Sequence, residues 1–237
     1  MEIKKVEEDL SGNMNNSVFL LGWYGGDEVN ACSAWTSTSR NLTPEKRARI
    51  PKLLKDLASA GHETPFEKSI VHFLVDTEIA SHIHLLKHRI SSLNAESARY
   101  KELKEDKYYL PEDWKGIKNS IELDILGKPY VRNELEWSEI LEIYTEFGNK
   151  LYHQCLKDLE PTLGRKRAKE SARFFKTYNS QIQADVMFNW RSFVNFLKLR
   201  NSEHAQKEIR EIAAEMLKLV KEIPEKPFQH TIAAFNL

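Results

Sequence analysis

Between Val75 and Ile79 the apolar residues of the chain change their period. In Ser69 to Val75, the residues Val71, Phe73 and Val75 alternate with Ile70, His72 and Leu74, so both faces are largely apolar. A segment of that kind is expected as an interior strand. Ile79, Ile83, Leu86 and Ile90 then recur at spacings of four, three and four, the stripe of an amphipathic helix that Asp76, Thr77 and Glu78 can open. A strand that passes directly into a helix points to a mixed architecture.

The rest of the chain fits that class. Ser17 to Tyr24 reads as a buried strand stopped by Gly25-Gly26. Thr43-Pro44-Glu45 supplies a cap and a proline pre-set for the first helical turn, and Gly61 stands where such a helix would end in the left-handed conformation. Pro51 is expected to kink or split that helix. Residues 101–132 are charged and interrupted by Pro111, Gly116, Gly127 and Pro129, which suggests a mobile surface excursion. Trp137, Leu141, Tyr144, Phe147 and Leu151 mark a helix ending near Pro161, and Ile209, Ile212, Met216, Leu219 and Ile223 mark another ending at Pro224. The coarse class is α+β, more helical than stranded.

Composition narrows the function. With 237 residues, one large domain or two intimately packed ones is expected, and residues 1–237 are taken as a single domain. Thirty-five basic residues balance thirty-five acidic ones, so no global field draws the chain onto nucleic acid or an anionic membrane, and any anion site must be local. Cys32 and Cys155 lie far apart without a CxxC, which fits a reducing cytoplasm and offers no thiolate metal site. The amino terminus lacks an apolar signal core, and no apolar stretch approaches membrane-spanning length, so no membrane partner is expected.

Two clusters could carry chemistry. Neither GxGxxG nor GxxxxGK[ST] occurs, so phosphate must be held in another way if at all. Lys87 to Tyr100 (KHRISSLNAESARY) sets cationic or titratable residues before a loop of small polar ones. Guanidinium forks, hydroxyls and backbone amides of that kind suit a phosphate, although a helix end capped by Asn94 would share the composition. Asn189 to His204 interleaves Asn189, Arg191, Asn195 and Arg200 with Phe193, Phe196 and Leu199. On a helix Arg191 and Asn195 share one side while Asn189, Phe196 and Arg200 line another. Such a segment suits a ligand rich in acceptors, and equally a helix with a wet polar face. His84 and His88 share a helix face, but without an HExxH or a spaced carboxylate no metal site is expected. Ser92 and Ser97 sit in no GxSxG elbow.

Together these clusters resemble the flavin-dependent thymidylate synthases, whose signature reads Arg-His-Arg, two residues, Ser, x, Asn, two residues, Ser, x, Arg-Tyr. His88, Arg89, Ser92, Asn94, Ser97, Arg99 and Tyr100 match it. Gly61 to Glu67 is similar to the family's upstream flavin-contacting segment, Glu170-Ser171-Ala172-Arg173 to another arginine-bearing one, and Asn189 to Gln206 to its ligand-bearing helix. The resemblance implies a central, mainly antiparallel sheet flanked by long helices and a homotetramer with shared active sites. It further implies FAD-dependent methylation of dUMP to dTMP, with methylenetetrahydrofolate and NADPH as co-substrates. By position, His62, Thr64, Glu67, His88, Arg89, Ile90, Asn189, Arg191, Asn195 and His204 would hold the flavin. Lys87, Glu96, Ser97, Ala98, Arg99, Arg173 and Arg200 would hold dUMP, with His84 as a pocket neighbour. Arg200 is the expected catalytic residue, a fixed guanidinium that stabilises charge developing on the pyrimidine, while Ser97 binds rather than attacks. Lys87 replaces the family's first arginine and Ala95 a frequent glutamate, which leaves room for C5 modification of another pyrimidine nucleotide. A non-catalytic nucleic-acid binder using Lys87, Arg89 and Arg99 is the remaining alternative, disfavoured by the neutral charge.

Overall fold

The computed structural model describes residues 11–88, 90–120 and 134–237, together with the backbone pairing of 124–125 with 128–129. A four-stranded antiparallel sheet forms the centre: β1 (Ser17–Tyr24) pairs with β2 (Ile70–Glu78), and β3 (Ser92–Ala95) lies at the other edge. β4 (Asp124–Ile125) and β5 (Lys128–Pro129) make a separate short ribbon, and β6 (Gln181–Asn189) runs between β2 and β3. β2 and β6 pair without interruption from Ile70 opposite Asn189 to Glu78 opposite Gln181.

β2 is interior, as its sequence suggests, but only one of its faces is dry. Val71, Phe73 and Val75 are fully buried, whereas Ile70, His72 and Leu74 are half-buried on a face shared with Asp76, Gln183 and Asp185. That face carries a His72 Nε2 to Asp185 Oδ1 contact of 2.6 Å. The sheet therefore follows the antiparallel rule of one core face and one polar face. β1, expected to be buried, is a half-buried edge strand whose register shifts between Leu20 and Gly22. Gly25 and Gly26 then turn the chain with φ of 92° and 137°, and a Cβ on Gly25 would collide with Ser69 Oγ at 2.3 Å.

The period change falls three residues later than expected. Asp76 and Thr77 belong to β2, and Glu78 both ends the strand and caps α3 (Ile79–Leu86), its Oε1 accepting the Ser81 N–H at 3.1 Å. The helix stops before Ile90, and Ser92 to Ala95 pair with β6, so Asn94 is a strand residue rather than a helix cap.

On the core face lie α5 (Trp190–Arg200) and α6 (Lys207–Lys221), with α1 (Asp27–Trp35), α2 (Pro44–Ser59) and α7 (Gln229–Ala234) closing the periphery. Phe188 of the sheet stacks on Phe196 of α5 with centroids 5.2 Å apart. Burying each such ring stabilises the fold by roughly 1.5–3 kcal/mol. α2 runs unbroken through Pro51, contrary to the expected split. The proline forfeits one backbone bond, while Ile50 and Leu54 on either side are held in the core.

α4 (Trp137–Ala172) also passes its proline: Pro161 lies inside it and the break comes at Gly164, whose φ is 74°. Its expected apolar stripe does not face this chain's core. Tyr144 and Phe147 are 61% and 48% exposed, and Thr145, Gly148, Tyr152 and Leu156 turn inward instead. Periodicity reveals that a stripe exists, not what covers it. The segment from 101 to 120 is tied down rather than free: Tyr108 and Tyr109 are buried, and their N–H groups donate to Gly12 and Asn179 carbonyls. The remainder of the expected excursion lies outside the described residues, apart from the β4–β5 pairing.

Candidate active site

β6 feeds α5 without a linker because Asn189 caps it, its Oδ1 accepting the Ser192 N–H at 2.9 Å. From that cap, Arg191, Asn195 and Leu199 follow at four-residue intervals down one side of α5. They line a cavity of about 610 Å³ together with Ser192 and Arg200. Its other walls are Glu63 and Glu67 from the 3-10 turn region around Thr64–Lys68, and Lys87, His88 and Ile90 from the end of α3.

The cations of the cavity are held differently. Arg191 Nη1 bonds Glu67 Oε1 at 2.7 Å and its Nε meets Glu63 Oε2 at 3.2 Å, and the Glu67 bond above all holds its pKa above the usual value. Arg200 Nε instead donates to His88 Nε2 at 3.0 Å. Since arginine can only donate, Nε2 must present a lone pair, so His88 is neutral with its proton on Nδ1. Burial, then the charges of Arg200 and His84, press its pKa down from 6.5 to about 4. The imidazole edge also packs on Phe196, with centroids 4.9 Å apart.

Two separate sequence clusters thus meet in one cavity. Glu67, His88, Ile90, Arg191, Asn195, Lys87 and Arg200 all line it. Asn189 does not line it but caps the helix that does, and His62 and Thr64 are exposed beside Glu63. His84 bonds Gln206 Oε1 at 3.3 Å, His204 is exposed beyond α5, and Arg89 lies outside the described residues. Phe196 and Arg200 share a side as expected, both meeting His88, although Phe196 is fully buried and does not line the cavity.

The other residues expected to hold the nucleotide lie elsewhere in the chain. Glu96 Oε2 accepts the Gln183 N–H at 3.0 Å. Gln183 precedes Asn189 by six positions along β6, roughly 20 Å at about 3.3 Å per residue. In the loop Glu96 to Arg99, Ser97 Oγ accepts the Arg99 N–H, Ala98 lies between them, and Arg99 Nε bonds Glu170 Oε1 at 2.9 Å. Arg173, exposed, follows α4. None of Glu96, Ser97, Ala98, Arg99 and Arg173 lines the cavity.

Glu63, Ser192 and Leu199 also line the cavity, although they are not among the expected site residues. Glu63 precedes Glu67 by four positions, a spacing that could have flagged two acceptors for one guanidinium. Among the described residues no group of three or more His, Cys, Asp or Glu side chains is placed to hold a metal, and no helix is long and apolar enough to cross a membrane.

The family profile described as thymidylate synthase complementing protein matches residues 20–225. The flavin-dependent thymidylate synthase of Pseudothermotoga lettingae is 32% identical over 207 residues, covering 87% of this chain and 85% of that protein. That of Thermosipho melanesiensis is 35% identical over 201 residues, covering 83% and 82%. Among solved structures, a UMP/dUMP methylase, PolB, from Streptomyces cacaoi bound with 5-Br dUMP superposes with a TM-score of 0.72 at 22% identity, covering 96% of this chain and 97% of that one.

Proposed function

The chain belongs to the flavin-dependent thymidylate synthases, and from that premise we propose that it is a single-domain enzyme that methylates dUMP at C5 to give dTMP. Methylenetetrahydrofolate would be the carbon donor and NADPH the reductant. The observation that carries the reading is the convergence of Arg191, Asn195 and Arg200 with Lys87 and His88 on one cavity, although the two groups lie about a hundred positions apart in sequence.

The donor set suits FAD. Arg191, Arg200 and Lys87 offer cationic donors for pyrophosphate or for an electron-rich ring edge, Asn195 offers an amide, and Ile90 and Leu199 are apolar walls. Glu67, His88, Ile90, Arg191 and Asn195 would hold the cofactor, with His62, Thr64, Arg89, Asn189 and His204 at its periphery. When bound, FAD supplies the hydride chemistry.

The chain's own residues bind and polarise the nucleotide. Glu96, Ser97, Ala98 and Arg99 would take its phosphate side with Arg173, and His84 and Lys87 would neighbour it. Arg200 would stabilise the negative charge that develops on the pyrimidine as its C5 is activated, a preorganised cation needing no rearrangement during the reaction. The separation of Glu96 from the Arg191 end of β6 supports sites shared between copies in a homotetramer. A second copy would bring its Glu96–Arg99 loop to the first copy's cavity.

The test is the visible spectrum of the purified protein, then anaerobic NADPH reduction with and without dUMP. Flavin bands that bleach faster with dUMP, and dTMP as product, are expected. A colourless protein that takes up no added FAD overturns the reading. Lys87 and Ala95, together with the name of the Streptomyces cacaoi methylase, favour a second reading in which UMP is also accepted. Product analysis with dUMP, dCMP and UMP separates the two.

A further inference from the structure

Arg200 is the one cavity arginine whose bonded partner is a ring nitrogen rather than a carboxylate. Its Nε is engaged by His88, and among the described residues neither Nη atom has a hydrogen bond or ion pair, so the two-pronged end of the guanidinium is left for a ligand. A carboxylate in the place of His88 would fix the same atom but cancel the charge. An imidazole fixes it and leaves the charge whole.

We propose that His88 is the positioning residue for Arg200: its neutral Nε2 holds the Arg200 Nε–H so that an uncompensated, oriented guanidinium faces the reacting pyrimidine. The inference rests on the role given to Arg200 above and assigns His88 an action through Arg200 rather than only through the flavin. The imidazole is itself held, edge-on against Phe196. Its surroundings favour the neutral form: His84 and Lys87 stand on the α3 side, Arg191 and Arg200 on α5, and the nearby carboxylates Glu63 and Glu67 are both engaged by Arg191. Protonation would set an N–H against the Arg200 N–H and break the contact, so the arrangement persists only above the low pKa of His88.

The test uses the flavin-loaded full chain with His88→Gln, His88→Ala, Arg200→Ala and the His88→Ala/Arg200→Ala double variant. Glutamine offers a carbonyl oxygen to the same N–H and alanine offers nothing. A lost hydrogen bond to a charged group corresponds to about a ten- to hundredfold change. His88→Ala is therefore expected to slow dUMP-dependent reoxidation of reduced flavin, measured per bound flavin at saturating FAD, by about that factor, and His88→Gln to recover most of it. On the Arg200→Ala background His88→Ala should add less than about twofold, the signature of two residues acting as a unit. The acid limb of the wild-type pH profile should be absent in His88→Gln.

Equal rates per bound flavin in the glutamine and alanine variants, or a full effect on the Arg200→Ala background, would each overturn the proposal. If the wild type shows no dUMP response, the functional reading fails, and the positioning contact is then judged by nuclear magnetic resonance. Solvent exchange of the Arg200 Nε–H should be slow in wild type and His88→Gln and fast in His88→Ala. The same rate in all three overturns the positioning contact as well.

Discussion

The two ends of β6 hold their cations in opposite ways. Around the Glu96–Arg99 loop, most cations face a carboxylate: Arg99 meets Glu170, Arg165 meets Glu102 and Glu160, Lys101 lies between Glu96 and Glu105, and Lys176 meets Asp106, while Lys169 donates to the Tyr100 carbonyl. At the cavity end only Arg191 is paired in this way, Arg200 meets a neutral imidazole, and Lys87 has no ion partner among the described residues. Most of the loop-end pairs are partly exposed and add little stability, so their main effect is to fix the loop against α4 and neutralise it. The cavity end keeps its charge. On the proposed reading, one end holds shape and the other acts on an electron-rich ligand.

Arg200→Lys should break the comparison most severely. Lysine keeps one positive charge but has neither the planar fork nor an Nε–H for His88. Loss of a preorganised charge stabiliser corresponds to a fall of roughly 10²–10³ in turnover of dUMP, with the thermal unfolding midpoint little changed. Turnover that stays within about threefold of wild type would mean that a positive charge alone suffices and that neither the fork nor the His88 contact matters to the reaction.

Lys176→Met tests the other end. The Lys176 side chain is 4% exposed, bonds Asp106 Oδ1 at 2.6 Å and Asn149 Oδ1 at 2.8 Å, and sits 4.5 Å from the Tyr152 ring centroid. Burial above all lowers its pKa, so this ammonium is held by its partners against desolvation. Methionine fills the volume and leaves Asp106 with His153 alone. Because Asp106 is 31% exposed, a destabilisation of about 1.5–3 kcal/mol in urea unfolding is expected rather than the larger cost of a fully buried pair. Flavin content should not change. An unchanged unfolding midpoint would show that the loop end does not depend on this clamp.

Acid should weaken the cavity end through His88. His88 has a folded pKa of about 4 against an ordinary 6.5. Between these values the unfolded chain takes up a proton that the folded chain refuses, so the stability His88 confers is complete above pH 6.5 and is lost as the pH falls towards 4. Unfolding curves of wild type and His88→Gln should therefore converge on acidification if the wild type is the more stable at neutral pH. Parallel curves would place the titration elsewhere.

The fold was legible wherever burial and local chemistry agree. The alternation in β2, the Thr43 cap, the Gly61 terminator and the stripe of α6 all reappear because each residue acts on its immediate neighbours. Pro51 misled because a helix held by Ile50 and Leu54 in the core tolerates one missing backbone bond, whereas the end expected near Pro161 falls three residues on, at the break at Gly164. Tyr144 and Phe147 misled because an apolar stripe carries no label for the surface it faces. In the site, residue types and spacing pointed to Arg191, Asn195, Arg200, Lys87 and His88. What spacing could not supply was pairing across distance: that His88 meets Arg200, that Glu63 and Glu67 share Arg191, and that Arg99 is taken by Glu170.

That last pair yields the smallest and sharpest test. Arg99 Nε bonds Glu170 Oε1 at 2.9 Å, Arg167 approaches the other oxygen at 3.5 Å, and the Arg99 bond above all holds the Glu170 carboxyl below its usual pKa. If the loop binds a nucleotide phosphate, that phosphate must compete with Glu170 for the same guanidinium. Glu170→Gln removes the competing charge while keeping an oxygen that can accept from Arg99. Titration with dUMP should then show affinity tighter by roughly two- to fivefold, the scale of one partly exposed ion pair, and the gain should shrink as salt is raised. Weaker binding would mean that Glu170 aims Arg99 at the phosphate instead of withholding it. The pairing at this end of β6 would then be preorganisation for a ligand, as at the cavity end, and the contrast between the two ends would lie only in the charge of the partner.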